Sequence, residues 1–217
     1  MNRSDAERAR LRELVRRGYD EISVAYRSDA GTSSPESAET TETYAGWVGE
    51  LAALLPRGAH VLDLGCGAGV PASRLLSEAG LRVTGLDISE VQVTRARELV
   101  PDATFVCADV ATWDAEPGSF DAVIALYSLI HVPLEDQLQL LPRLRRWLTD
   151  GGYVLAIVGA TAWTGREQYF GTEMFWDHAD AGSYLAWFAE AGLEPVWHRY
   201  VPEGDAGHTL VLARATR

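Results

Sequence analysis

The chain has 217 residues and a mass of 23.7 kDa, with 47% hydrophobic and 23% charged residues, enough for one domain with a sizeable core and too little for two ordinary ones. A formal net charge of -12 and a pI near 4.8 disfavour nucleic acid and anionic membranes, whose binding rests on Lys and Arg neutralising phosphates. Cys66 and Cys107 fall at predicted strand ends instead of at disulfide-framework spacings, and read as reduced thiols of a cytoplasmic protein. The polar opening from Met1 to Arg17 has no signal-peptide core, and no apolar run is long enough to span a bilayer.

Behind Ser4, the spacing of Leu11, Leu14, Val15, Ile22 and Tyr26 predicts a helix to about Arg27. Its Arg8, Arg10, Arg12, Arg16 and Arg17 interleave with Glu7 and Glu13 and read as a solvated face. From Ser28 to Thr43 the Ser, Thr, Glu, Gly and Pro content predicts a mobile loop, either a linker or a lid, before a helix from about Glu42 to Leu55.

After Pro56 and Gly58, short apolar runs alternate with helical segments, the pattern of a parallel sheet with crossover helices. Strands are predicted at His60–Leu64, Arg82–Asp87, Thr104–Cys107, Phe120–Leu126 and Tyr153–Val158, with helices near Val70–Ala79, Glu90–Leu99 and Glu135–Leu148. The segment Trp163 to His178 is aromatic and less regular. A helix at about Ala181–Ala191 then precedes strands at Glu194–Tyr200 and His208–Ala213, which are too close in sequence to pair other than antiparallel. The class is α/β with a reversed final strand.

The informative segment is Val61-Leu62-Asp63-Leu64-Gly65-Cys66-Gly67-Ala68-Gly69, a strand running into three alternate glycines at the edge where open α/β sheets bind ligands. The dinucleotide fingerprint G-x-G-x-x-G is not met, because Val70 stands at its third glycine. Asp87 ends the next strand, where a carboxylate can accept from both hydroxyls of a ribose. Asp109 follows the third strand, placed to accept from an adenine amino group, with Ile88 and Val110 flanking a purine. Each element has a plainer reading: turn glycines, a helix cap shared by Asp87 and Ser89, and a turn acid at Asp109. Three in this order at strand ends favour the binding reading.

These residues resemble the class I S-adenosylmethionine-dependent methyltransferases, whose acid-x-Gly-x-Gly-x-Gly loop corresponds to Asp63, Gly65, Gly67 and Gly69, followed by Asp87 and Asp109. The resemblance covers about Thr43 to the C-terminus and implies a Rossmann-like, mostly parallel seven-stranded sheet with a reversed terminal strand and helices on both faces. It divides the chain into an N-terminal helix with a candidate lid (1–43) and a core (44–217) with an aromatic insertion (160–180), together one domain. It implies S-adenosyl-L-methionine as cofactor, with the glycine loop and Asp63 by its methionine portion, Asp87 on ribose and Asp109 by adenine.

Methyl transfer from a sulfonium is an in-line displacement that asks the enzyme to align the acceptor, exclude water and, where needed, take a proton. His131, after the fourth strand, and His178 are the candidate bases, with a structural histidine as the rival reading. Tyr127, Trp163, Tyr169 and Trp176 are candidate acceptor contacts, and Tyr19 and Tyr26 are expected to fold over the cofactor; core packing competes for all of them but Tyr127. No dense His/Cys cluster argues for a metal. The expected activity is methyl transfer to a small-molecule O, N, S or C nucleophile. Its rivals are a cyclase or sensor that binds the cofactor without transferring methyl, and an NAD-dependent oxidoreductase, which gives Asp109 no role.

Overall fold

The computed structural model describes residues 3–31 and 41–216. The first helix, α1 (Asp5–Tyr26), starts on a capping box: the Ser4 N–H donates to Glu7 at 2.8 Å, and the Glu7 N–H donates to the Ser4 hydroxyl at 3.3 Å. Leu11, Val15, Gly18 and Ile22 form its buried stripe at helical spacing. Residues 32–40, most of the expected loop, lie outside the described residues. The second helix, α2 (Thr41–Ala52), buries Tyr44, Trp47, Val48 and Leu51.

Strands and helices then alternate: β1 (His60–Leu64), α3 (Ala72–Glu78), β2 (Arg82–Asp87), α4 (Glu90–Leu99), β3 (Thr104–Cys107), β4 (Phe120–Ala125), α5 (Leu134–Trp147) and β5 (Leu148–Gly159). A single 3-10 turn, Leu129–His131, lies between β4 and α5. After β5 come β6 (Trp163–Tyr169), β7 (Thr172–His178), α6 (Ala181–Glu190), β8 (Leu193–Glu203) and β9 (Ala206–Ala215). Seven strands form one sheet in the order β3-β2-β1-β4-β5-β9-β8. The first five pair in parallel, and β9 runs antiparallel between β5 and β8, giving the expected Rossmann-like sheet with a reversed strand.

Both faces of the sheet are covered, so its central strands are apolar on both sides. Leu62, Leu64, Val123 and Ala125 pack with Leu144 and Trp147 of α5 and Phe188 of α6. The alternating residues Val61, Ala122 and Ile124 pack with Trp47 and Leu51 of α2 and Leu76 of α3. Strand order reverses between β1 and its neighbours β2 and β4, and the carboxyl ends of these strands leave the crevice where such folds hold ligands.

Two expectations are corrected. Trp163 to His178 is a regular β-hairpin in which Tyr169 pairs Thr172 across a two-residue turn, Phe170-Gly171, with φ of 51° and 86°. Two successive positive φ values match the twist of the strands, but a phenylalanine at the first of them carries no turn signal in sequence. The N-terminal arginines are not all solvated: the Arg8 and Arg12 side chains are each 12% exposed and both pair with the carboxylate of Asp136 on α5. Helical spacing of opposite charges cannot distinguish partners on the same helix from partners elsewhere, and Asp136 lies on another helix.

The helix α1 packs against β7 at Gly18, where an added Cβ would lie 2.2 Å from the sulfur of the fully buried Met174. Gly18→Ala is therefore expected to lower stability, because overpacking of roughly 1–3 kcal/mol outweighs a helix-propensity gain of about 1 kcal/mol. Gly46→Ala in α2, where a Cβ meets nothing within 4 Å, is expected to raise stability. Urea midpoints of the two variants moving in opposite directions would bear this out; a stabilised Gly18→Ala would refute the close packing.

Candidate active site

The glycine loop leaves the end of β1 with positive φ at Gly65 (68°), Gly67 (54°) and Gly69 (74°). At Gly65 a Cβ would lie 2.2 Å from the Cβ of Ser128, so glycine is required for the approach of the segment after β4. The Gly65 and Cys66 N–H groups donate to the Leu86 carbonyl at 2.7 and 3.1 Å, while Gly67 N–H donates to Asp87 Oδ2 at 2.8 Å. The loop is thus tied to the end of β2, and the Asp87 carboxylate is oriented by it.

Three carboxylates stand at the strand ends. Asp87 also accepts from the Ser89 N–H at 2.9 Å, and burial pushes its carboxyl up to about 6. Asp63 accepts from the Ser73 hydroxyl at 2.6 Å, and burial pushes it up to about 7. Both are acids held short of counter-charge in a dry setting. Asp109 accepts from the Ala111 N–H at 2.9 Å and from Arg12 Nε at 2.7 Å.

A cleft opens over these strand ends, concave and largely apolar as small-molecule sites are. Asp87, Ile88, Asp109 and Val110 line one side, Tyr127 and His131 the other, and Tyr19 and Tyr26 of α1 cover it. A smaller cavity adjoins it, lined by Asp63, Gly65, Gly67, Tyr44 and Arg27. Arg27 is buried there, with its guanidinium 5.0 and 5.1 Å from the ring centres of Tyr26 and Tyr44. Gly69 lies outside both walls and packs toward Phe105 and Val100.

The 3-10 turn presents His131 to the cleft. Its Nδ1 lies 2.8 Å from the Phe175 carbonyl, which only accepts, so Nδ1 carries the hydrogen. Nε2 then accepts from the Tyr19 hydroxyl at 3.0 Å. Burial pulls the imidazole down to about 4, so it is neutral at pH 7 with a lone pair directed toward α1.

The remaining candidates stand apart from the cleft wall. Trp176 packs on the His131 ring at 5.1 Å between centres and Tyr169 on Tyr26 at 6.0 Å, so both buttress residues that line the cleft. Trp163 is 37% exposed and touches Trp176. His178 donates from Nδ1 to the Thr161 carbonyl at 2.8 Å and packs against His208, not against the cleft. Sequence reasoning missed Arg12, Arg27 and Gln92, the last buried on α4 and accepting from Ser23 Oγ at 2.8 Å. A usable signal for Arg27 was its place directly after Tyr26, the last residue of the apolar spacing that predicts the helix. Among the described residues, no group of three or more His, Cys, Asp or Glu is placed to hold a metal, and no helix is long and apolar enough to cross a membrane.

Residues 61–152 match the family model of a methyltransferase domain. A trans-aconitate 2-methyltransferase of Paracidovorax citrulli (strain AAC00-1) is 45% identical over 112 residues, which are 50% of this chain and 42% of that protein. The enzyme of the same name from Escherichia coli (strain 55989 / EAEC) is 32% identical over 166 residues, covering 70% and 64%. The crystal structure of Burkholderia thailandensis 1,6-didemethyltoxoflavin-N1-methyltransferase, with bound 1,6-didemethyltoxoflavin and S-adenosylhomocysteine, superposes with a TM-score of 0.74 at 21% identity, covering 100% of this chain and 92% of that one. At that identity the likeness speaks for the fold. The chain spans 39–42% of the length of the first bacterial trans-aconitate methyltransferases it matches. Fold, motif and family match agree: residues 61–152 carry a methyltransferase domain, and the chain has the Rossmann-like fold of the class I S-adenosylmethionine-dependent methyltransferases.

The raised carboxyls set a pH dependence. In the folded protein Asp63 and Asp87 keep protons up to pH about 7 and about 6, whereas an unfolded aspartate loses its proton near 3.8. Between these limits the native state binds more protons than the unfolded one, so their contribution to stability falls as pH rises from about 4 to about 7. Asp63→Asn removes one of the two groups. Its Tm relative to the parent is expected to rise across this window in calorimetry, and a difference that does not change with pH would contradict a desolvated Asp63.

Proposed function

We infer that the protein transfers the methyl group of S-adenosyl-L-methionine to a small-molecule acceptor through an O, N, S or C nucleophile, as one domain working in the cytoplasm. The observation that carries the reading is Asp87: a half-buried carboxylate fixed by the Gly67 N–H at the reversal point of strand order, facing the cleft. A ligand with vicinal hydroxyls adds donors to those that the Gly67 and Ser89 N–H groups give this acid. Asp109, Ile88 and Val110 then receive the adenine side, while Asp63, Arg27 and Tyr44 meet the charged amino-acid end in the adjoining cavity. Each opposite charge in that end has a counterpart of the right sign.

The cofactor supplies a methyl group on a cationic sulfur with a neutral leaving group, so the protein's work is alignment and exclusion of water. Tyr19 and Tyr26 close the cleft from α1, and Tyr127 stands opposite. Nε2 of His131, oriented by the Phe175 carbonyl, is the lone pair that can take an acceptor's proton once the Tyr19 hydroxyl yields it. The names of the relatives leave the acceptor open here, because they come from longer proteins.

Calorimetric titration with S-adenosylmethionine and S-adenosylhomocysteine tests the reading, with NAD as control. Both are expected to bind, and Asp87→Ala to weaken them about 10- to 100-fold, the worth of hydrogen bonds to a charged group. A folded parent protein that binds neither ligand, or prefers NAD, would overturn it.

A further inference from the structure

We propose that the acceptor is an uncharged planar molecule bearing a ring-borne O–H or N–H, held among Tyr19, Tyr26 and Tyr127 with that hydrogen directed at Nε2 of His131. The proposal rests on the methyl-transfer reading above and specifies what occupies the acceptor side of the same cleft.

The first support is the kind of hydrogen bond on offer. Nδ1 of His131 is committed as a donor to Phe175, which leaves Nε2 as an acceptor facing the cleft, occupied here by a phenolic O–H, that of Tyr19, at 3.0 Å. A ligand hydroxyl or ring N–H makes the same bond, whereas a carboxylate, with acceptor oxygens only, cannot. The second is the wall around it. Tyr19 meets the His131 ring at 5.4 Å and Tyr26 at 5.5 Å, edge to face in both cases, and Trp176 backs the imidazole at 5.1 Å. Such rings offer flat apolar surface at low entropic cost, suited to another ring.

The third is charge. Among the described residues, Arg12 is the cationic side chain on the cleft wall, and its guanidinium is shared between Asp109 and Asp136. Arg27, in the adjoining cavity, lies beside the glycine loop and Asp63, away from His131. Residues 32–40 add Glu36 and Glu39 to the sequence and no lysine or arginine. His131 is neutral, as argued above. A polycarboxylate would therefore enter a site already holding Asp87 and Asp109 and find, among the described side chains of the cleft wall, no cation without a carboxylate partner, and a poorly paired anion in a dry cleft is disfavoured.

In the transfer step the ring oxygen or nitrogen forms its bond to the methyl carbon as the carbon–sulfur bond breaks. The electron pair of the broken bond stays on sulfur, which becomes a neutral thioether. The ring proton passes to Nε2 of His131 and then to water.

The test uses the full chain saturated with S-adenosylhomocysteine at pH 7.5 and two probes, 2-naphthol and the tricarboxylate trans-aconitate, followed by saturation-transfer NMR and titration. We expect 2-naphthol to bind and trans-aconitate not to. His131→Leu should weaken 2-naphthol roughly two- to tenfold, the worth of one lost hydrogen bond, whereas Tyr19→Phe, which removes the competing hydroxyl, should not weaken it. Retained S-adenosylhomocysteine binding shows that each variant is folded. Binding of trans-aconitate, absence of 2-naphthol binding, or 2-naphthol binding indifferent to His131→Leu would overturn the proposal. Failure of the parent protein to bind S-adenosylhomocysteine would strike the methyl-transfer reading instead.

Discussion

The docking of α1 over the open end of the sheet is the constraint on which the site depends. The strand ends alone supply a glycine loop and three acids, but Tyr19, Tyr26 and Arg12, which cover the cleft, all come from α1. Two different interactions fix that helix. Close packing at Gly18 against Met174 sets its distance from the hairpin, and the pairing of Arg8 and Arg12 with Asp136 sets its position along α5. Arg3 extends the same ladder to Glu135 and Asp177. Desolvating such charges offsets much of their attraction, so their contribution is better read as fixing register than as adding stability. An unpaired Asp136 on α5 would be costly, which makes any other placement of α1 unfavourable.

The acids at the strand ends follow from the same geometry. Parallel strands covered on both faces end in a dry crevice, and a carboxylate there is left with backbone N–H groups and hydroxyls as donors. Asp63 and Asp87 accordingly hold their protons to higher pH than ordinary aspartates, while Asp109, reached by Arg12, has a cation beside it. The protein thus stores unfavourable electrostatics where a ligand rich in donors and positive charge relieves it. His131 is governed by the same desolvation with the opposite sign, because burial of a base favours its neutral form.

How much of this was legible in the sequence varies with the range of the interactions involved. The strands His60–Leu64, Arg82–Asp87 and Thr104–Cys107 read directly, because buried parallel strands are short apolar runs bounded by glycine or acid. The same run-and-break pattern put the glycine loop and the three acids at strand ends. The β6–β7 hairpin did not read, since Met174 and Phe175 are adjacent buried residues that break period-two alternation, and its turn begins with phenylalanine. Arg8 and Arg12 were misread for a related reason: their partners are more than a hundred residues away, and local charge spacing offered plausible nearer ones. His178 shares the residue type of His131, but its ring turns to Thr161 and His208, an outcome set by the pairing of β7 that sequence spacing does not encode.

The distribution of likeness along the chain bears on what can be inherited from relatives. The family match covers residues 61–152, which hold the glycine loop, Asp87, Asp109 and His131. Helix α1, which covers the cleft with Tyr19 and Tyr26, and the β6–β7 hairpin, whose Trp176 and Tyr169 pack on His131 and Tyr26, lie outside it on either flank. Likeness over the segment that the family model matches carries information about the cofactor, because that segment forms the carboxyl edge of β1, β2 and β3. It carries less about what α1 adds, the rings of Tyr19 and Tyr26 over the cleft. An acceptor name transferred through the central segment alone would therefore leave out Arg12, Tyr19 and Tyr26, and the charge and aromatic character of α1 has to be read beside it.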